Sequence, residues 1–365
     1  MNLHDLVVPG VRSLQPYQPG KPVEELEREL GIQGIVKLAS NENPRSPVAT
    51  VQRAMAAAAS EISRYPDGSG FQLKQRLSEL LDVTPSNLTL GNGSNDVLEL
   101  VIRAFVQPGE GVVVSAHAFA VYVLSASAAG AKLQETPAQN WGHDLDAMLD
   151  MVDSETRAVF IANPNNPTGT WVSSIKLRQF LDALPSHVIA IVDEAYFEYV
   201  EEADYPDCIE MLPTYPNLIV TRTFSKIYGL AALRVGYAIA SEVLIGHLMD
   251  IKQPYNINIA GEAAVLAALE YRYELLKRSA SLVEQRVRLE ELIDSLDGIS
   301  YYPSQGNFLL CRFERHTAEE AYIGLAKHGI FVRRFPQSVL NDSLRISAGT
   351  PEQTDRLIDA LRSVV

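Results

Sequence analysis

The chain has 365 residues, 47% of them hydrophobic and 21% charged, which is enough apolar material for one large core and a smaller second one. The formal net charge is −14, from 31 basic and 45 acidic residues, and this argues against a general affinity for nucleic acid or an anionic membrane surface. Cys208 and Cys311 stand in unrelated contexts, so neither a disulfide framework nor a metal site is expected, and a reducing, cytoplasmic setting is the default.

The N-terminus, MNLHDLVVPGVRSLQPY, lacks the basic start and long apolar run of a signal peptide. Residues 1–30, rich in Pro and Gly up to Lys21, read as an arm packing on a small domain or on a partner subunit. Ala54–Ser60 reads as an alanine-rich helix and Phe71–Leu81 as an amphipathic one. Five short apolar runs follow: Gly111–Ser115, Ala158–Ala162, Val188–Val192, Leu218–Thr221 and Val235–Ala240. They are bounded by turn residues and separated by helical stretches, as buried strands of a mostly parallel sheet are. Residues 111–131 carry no Asp, Glu, Lys or Arg, but His117 and several hydroxyls lie inside them. A strand, a loop and a helix explain that stretch better than a membrane span.

Alternating α and β segments predict a three-layer α/β domain over residues 31–250. Around Met249–Asn258 the pattern changes. A long helical region from Ala260 to about Leu296 precedes short strands at Asn307–Phe313, Ile330–Arg334 and Leu344–Ser347, and a last helix starts at Pro351. Residues 251–365 therefore read as a smaller α+β domain.

Ligands of open α/β sheets bind beyond the carboxyl ends of the strands, so the residues there are the candidates for chemistry. Asn87–Leu90 runs into Gly91-Asn92-Gly93-Ser94-Asn95-Asp96 and a helical pattern, which offers free amides and a positive dipole end to a phosphate. It is neither a dinucleotide fingerprint nor a Walker loop, and taken alone a turn with a helix cap explains it. Asn163-Pro164-Asn165-Asn166-Pro167-Thr168-Gly169 suits a tight turn, Asp193 ends an apolar run, and Lys226 follows another in Thr223-Phe224-Ser225-Lys226, with Gly229 and Arg234 beyond. Singly, these are a turn, a cap and a solvated lysine. Together they put a phosphate cradle, a carboxylate, an amine and an arginine at one sheet edge. Pyridoxal phosphate needs that set: an amine for its aldehyde, an anion for its ring nitrogen and donors for its phosphate.

With those residues in hand, the sequence resembles the fold-type-I pyridoxal-phosphate aminotransferases, and within them the histidinol-phosphate branch. The match runs from Leu38-Ala39-Ser40-Asn41-Glu42-Asn43-Pro44 to Leu344-Arg345-Ile346-Ser347, through the Asn-Asn-Pro-Thr-Gly turn, Asp193-Glu194-Ala195-Tyr196 and Ser225-Lys226. The resemblance implies that Lys226 forms the Schiff base and shuttles the substrate's proton, and that Asp193 keeps the pyridine nitrogen protonated. It implies that Asn166 and Tyr196 bond the ring hydroxyl oxygen, and that Ser94, Asn95, Thr223, Ser225 and Arg234 hold the phosphate. Phe119 takes the place of a stacking aromatic that is tyrosine in many relatives, so a hydroxyl is absent there. Tyr65 looks like a tyrosine reaching the phosphate from a neighbouring subunit, which implies a homodimer with shared active sites. Tyr17, Asn166, Arg333 and Arg345 match the substrate-binding group. Adjacent strand residues face opposite ways, so only one of Arg333 and Arg334 can face the site, and Arg333 is the expected one.

The reaction implied is amino transfer between histidinol phosphate and 2-oxoglutarate in histidine biosynthesis. Paired arginines suit a phosphate dianion but could also grip a carboxylate, so an aromatic amino-acid aminotransferase stays open, as does a decarboxylase acting on threonine phosphate. A non-catalytic sensor of the same fold is disfavoured by the lysine and by the lack of a basic helix-turn-helix segment. No metal is expected.

Overall fold

The first strand of the computed structural model, which describes residues 2–12, 14–16, 20–336 and 338–364, is the three-residue β1 (Val36–Leu38). The next seven form one sheet: β2 (Leu88–Gly91), β3 (Gly111–Ser115), β4 (Lys132–Thr136), β5 (Thr156–Ala162), β6 (Ile189–Asp193), β7 (Leu218–Thr223) and β8 (Gly236–Ala240). Their order is β2-β8-β7-β6-β5-β3-β4, and β8 alone runs antiparallel to its neighbours. Successive residues of these strands enter two different cores. Val113, Val159, Ile161 and Val192 point to one, while Val112, Val114, Phe160 and Ile191 point to the other. A sheet buried on both faces has to be built from uninterrupted apolar strands, which is why these runs lack the polar alternation of a half-exposed sheet. Helices on each face complete three layers. The uncharged stretch resolves into β3, a four-residue loop and the helix Ala120–Ala128. No described helix is long and apolar enough to cross a membrane.

The second sheet contains β9 (Ile299–Tyr301), β10 (Phe308–Phe313), β11 (Ile330–Arg334) and β12 (Ser343–Ser347), in the order β1-β11-β12-β10-β9. The helices Ala318–Lys327 and Pro351–Val364 cover it, burying Leu325, Leu357 and Leu361 in a third core.

Two pieces of the chain fall across the expected division at residue 250. β1 pairs in parallel with β11, Val36 opposite Ile330, so the C-terminal sheet borrows its edge from the start of the chain. The expected long helix breaks at Tyr271 into Ile259–Glu270 and Arg272–Asp294. Its first part places Ala264, Val265 and Ala268 in the large core, where small residues let it lie close to the alanine-rich helix Ala49–Ala58. The arm also divides. Gly10 of the short helix Pro9–Arg12 presses so closely on Ser127 that a Cβ there would strike the Ser127 carbonyl, which fixes the first stretch to the large domain. Leu26, in the helix Val23–Leu30, borders the groove of Phe331 and Val332 on the small domain.

Candidate active site

Where the carboxyl ends of β5, β6 and β7 meet the small sheet, a cleft of about 400 Å³ opens, within the usual size of a small-molecule site. Asp193, the last residue of β6, forms part of its floor. One carboxylate oxygen accepts from the Tyr122 hydroxyl at 2.7 Å and the other from Thr221 at 2.9 Å. Burial pushes the Asp193 carboxyl above its ordinary pKa, and the donated hydrogen bonds and the Lys226 charge pull it back. Tyr122 is itself fully buried, stacked on Phe160 at 4.8 Å between ring centroids and set edge-on to Phe119 at 5.7 Å.

Lys226 follows β7 after a two-residue link. Its Nζ donates to the Ser40 carbonyl at 3.3 Å and lies 5.5 Å from the centre of the Tyr196 ring. The Tyr196 hydroxyl accepts from Asn41 Nδ2 at 2.9 Å. Amine, buried carboxylate and phenol thus share one cleft.

At one end of the cleft the helix Ser94–Phe105 begins behind Gly93, whose lack of a side chain leaves the first amides uncapped. Gly93 has φ 84°, and a Cβ on it would collide with the Arg234 guanidinium, while a Cβ on Gly236 would collide with the Ser94 amide. These two glycines are required by close approach of the main chain. Arg234 adopts φ 55° and donates to Ser225 Oγ at 3.3 Å and to the Ala231 carbonyl at 3.0 Å. Thr223 Oγ1 accepts the Ser225 amide at 3.1 Å. A helix terminus, a guanidinium and hydroxyl groups converge here, the donor set of an anion site.

At the opposite end stand two arginines. β11 and β12 are antiparallel with Arg333 directly opposite Arg345, so both side chains share a face, and both line the cleft. Arg334 points the other way, paired with Glu319 at 3.1 Å and lying over Tyr322. Arg345 donates to Asn166 Oδ1 at 2.5 Å and to the Ala39 carbonyl at 2.6 Å. The loop carrying Asn166 is tied to the small domain again by the Gln305 amide, 2.9 Å from the Gly169 carbonyl.

Just outside the cleft, a turn at Gln139–Gly142 sets Trp141 at φ 65°, stacked on His117 at 4.9 Å and against Tyr302 of the small domain at 4.4 Å. Tyr65 does not line the cleft: it is 82% exposed and stacks on Tyr255 at 4.7 Å. Tyr17 lies outside the described residues. The remaining expected residues (Ser94, Asn95, Phe119, Asn166, Thr223, Ser225 and Arg234 among them) all line the cleft. Tyr122, Thr221, Asn41 and Glu42 were not anticipated. Among the described residues no group of three or more His, Cys, Asp or Glu side chains could hold a metal ion.

Comparison with known proteins adds to this geometry. The sequence pattern of the family described as aminotransferase class I and II matches residues 33–361. The chain is 47% identical to histidinol-phosphate aminotransferase 2 of Pseudomonas fluorescens strain Pf0-1, covering 100% of this chain and 98% of that one. It is also 47% identical to histidinol-phosphate aminotransferase 2 of Pseudomonas aeruginosa PAO1, over 99% and 98% of the two chains. The crystal structure of histidinol-phosphate aminotransferase from Sinorhizobium meliloti in complex with pyridoxal-5'-phosphate superposes with a TM-score of 0.89 at 30% identity, covering 98% of this chain and 96% of that one. A Thermus thermophilus aspartate aminotransferase double mutant, 19% identical, shares the fold with a TM-score of 0.82 over 98% of each chain.

Proposed function

We propose a reaction for this chain from one premise: it belongs to aminotransferase class I and II. The reaction is transfer of an amino group from histidinol phosphate to 2-oxoglutarate, a step of histidine biosynthesis, with pyridoxal phosphate as the cofactor. The observation that carries it is the cleft itself, which sets Lys226 and the buried Asp193 beside the cross-strand pair Arg333 and Arg345. Chains 47% identical over their whole length and named histidinol-phosphate aminotransferase support the same reading.

The donor set fits the cofactor. The flush packing of Gly93 on Arg234 and of Gly236 on Ser94 leaves an anion cradle of main-chain amides, where Ser94, Asn95, Thr223, Ser225 and Arg234 would hold its phosphate. Asp193 is a buried carboxylate whose charged neighbour among the described residues is Lys226, so a protonated ring nitrogen beside it would offset its burial. When bound, pyridoxal phosphate supplies an aldehyde that condenses with amines and a ring that takes up the charge left when a bond to Cα breaks.

The chain's own residues do the rest. Asp193 would hold a proton on the ring nitrogen, and the hydrogen bonds from Tyr122 and Thr221 favour its ionised form and aim it. Lys226 Nζ would take the proton from substrate Cα and would deliver it to the cofactor's aldehyde-derived carbon, a general acid–base role suited to a flexible amine. The Tyr196 hydroxyl and the Asn166 amide, whose oxygen is occupied by Arg345, would donate to the ring hydroxyl oxygen. Phe119 supplies an apolar face. Arg333 and Arg345 would grip the substrate's phosphate with forked, charge-assisted hydrogen bonds and would serve the α-carboxylate of glutamate in the return half-reaction.

The working unit proposed is a cytoplasmic homodimer in which Tyr65, and Tyr17 of the arm, complete a neighbouring site. Support comes from the aromatic pair Tyr65–Tyr255, which is exposed on its own chain. The reaction is tested by following the absorption of the cofactor-loaded protein in single turnover. Rapid bleaching with histidinol phosphate and with glutamate, and slow bleaching with phenylalanine, is expected. A preference for phenylalanine, or carbon dioxide released from threonine phosphate, would overturn the assignment.

A further inference from the structure

The segment Ala39–Asn43 joins β1 to the large domain, and its residues are wired to the cleft one after another. The Ala39 carbonyl accepts from Arg345, and the Ser40 carbonyl accepts from Lys226. Asn41, buried at φ 53°, donates to Tyr196, exchanges two hydrogen bonds with Ser347, and accepts from Asn307 at its carbonyl. Asn43 donates to the Ile227 carbonyl at 3.0 Å. Among the described residues, the Glu42 side chain engages Lys37, which lies outside the cleft. Lys37 holds its two oxygens at 3.3 and 3.4 Å, and the carboxylate remains 46% exposed.

Two carboxylates line the cleft among the described residues, Glu42 and Asp193. Asp193 is committed on both oxygens to Tyr122 and Thr221. A substrate with a cationic or N–H-bearing ring therefore meets one available anion. An ionised carboxylate has about four acceptor sites, and a single lysine leaves room for another donor. The chain from Ala39, which anchors Arg345, to Glu42 spans three residues, at most about 10 Å extended, a distance a small two-ended substrate can bridge.

We propose that Glu42 is a specificity-determining residue that accepts a hydrogen bond from the imidazole ring of the substrate while Arg333 and Arg345 hold its phosphate. This rests on the histidinol-phosphate reading above. The segment's fixed backbone preorganises the carboxylate, and Lys37 sets its rotamer. Glutamate and 2-oxoglutarate have no ring to offer and bring a second carboxylate, so Glu42 disfavours them. The same residue thus has opposite effects on the two half-reactions.

The experiment compares wild type, Glu42→Gln and Glu42→Asp, each loaded with cofactor, in the two half-reactions separately. Glu42→Gln is expected to raise KM for histidinol phosphate by at least about tenfold, to lower KM for glutamate, and to place both changes on KM rather than kcat. Glu42→Asp should recover part of the loss. Parallel changes in both half-reactions, or no change in either KM, would overturn the proposal. Wild-type protein inert toward histidinol phosphate would instead sink the substrate reading, and the Glu42 assignment with it.

Discussion

At Asp193 burial and hydrogen bonding act in opposite directions, and the balance depends on a hydroxyl from another element. Tyr122→Phe removes a 2.7 Å donor from a buried carboxylate, which should cost about 1–3 kcal/mol and raise the Asp193 pKa further. Urea unfolding and cofactor release should both register the change; a variant that kept its cofactor as firmly as wild type would show that Tyr122 does not tune Asp193. Lys226→Ala should lower single-turnover rates at least about a thousandfold while leaving the fold intact, because the hydrogen bond that its side chain donates to the Ser40 carbonyl is a long 3.3 Å contact. Lys226 and Asp193 were legible in the sequence because each ends or follows an apolar run at a position where ligands gather. Tyr122 was not. It sits in an uncharged helix, and its partner is 71 residues away in sequence, a relation that only the packing of helix on sheet creates.

Among the elements, the glycine loop and the β12 edge carry the most testable geometry. Gly93→Ala would force a side chain into φ 84° against Arg234, so the cradle must open; cofactor retention is expected to fall by about tenfold or more, measured by dialysis and absorbance. Arg345→Lys keeps a charge but loses the fork that reaches Asn166 and Ala39 together, and kcat/KM for histidinol phosphate should drop by about a hundredfold. Strands of five or more apolar residues and the amphipathic helix Phe71–Leu81 could be read directly, since periodicity marks them. β1 and β9 have three residues each, too few to show alternation, and β4 is an edge strand with an exposed lysine and glutamate. The break at Tyr271 was hidden because both flanking helices are helical in pattern.

For the molecule as a whole, the division into domains is not a single cut in the chain. β1 belongs with residues beyond 298, and Ile259–Glu270 belongs with the large core. We propose that the boundary lies within the helix Arg272–Asp294, which gives Leu275, Leu282 and Val283 to the large core and Leu289, Leu292 and Ile293 to the small one. Stability should depend on pH through His143, whose imidazole burial pushes down from 6.5 to about 4. Between those values the unfolded chain binds the proton and the folded one does not, so the contribution is present above pH 6.5 and lost as pH falls toward 4. Wild type should therefore lose more stability between pH 7 and pH 5 than His143→Gln does in chemical unfolding. If the dimer shares its sites, mixing Lys226→Ala with Tyr65→Ala protomers should restore up to about a quarter of the activity, since one of two sites in each hybrid is intact. No recovery after subunit exchange would mean that Tyr65 serves no neighbouring site.

The ring of Trp141, clasped between His117 of one domain and Tyr302 of the other, gives the protein a built-in optical gauge. The chain has two tryptophans, so Trp171→Phe would leave a single emitter at the seam. Its fluorescence would report, without any attached dye, whether the contact between the two halves changes when substrate arrives, and how fast.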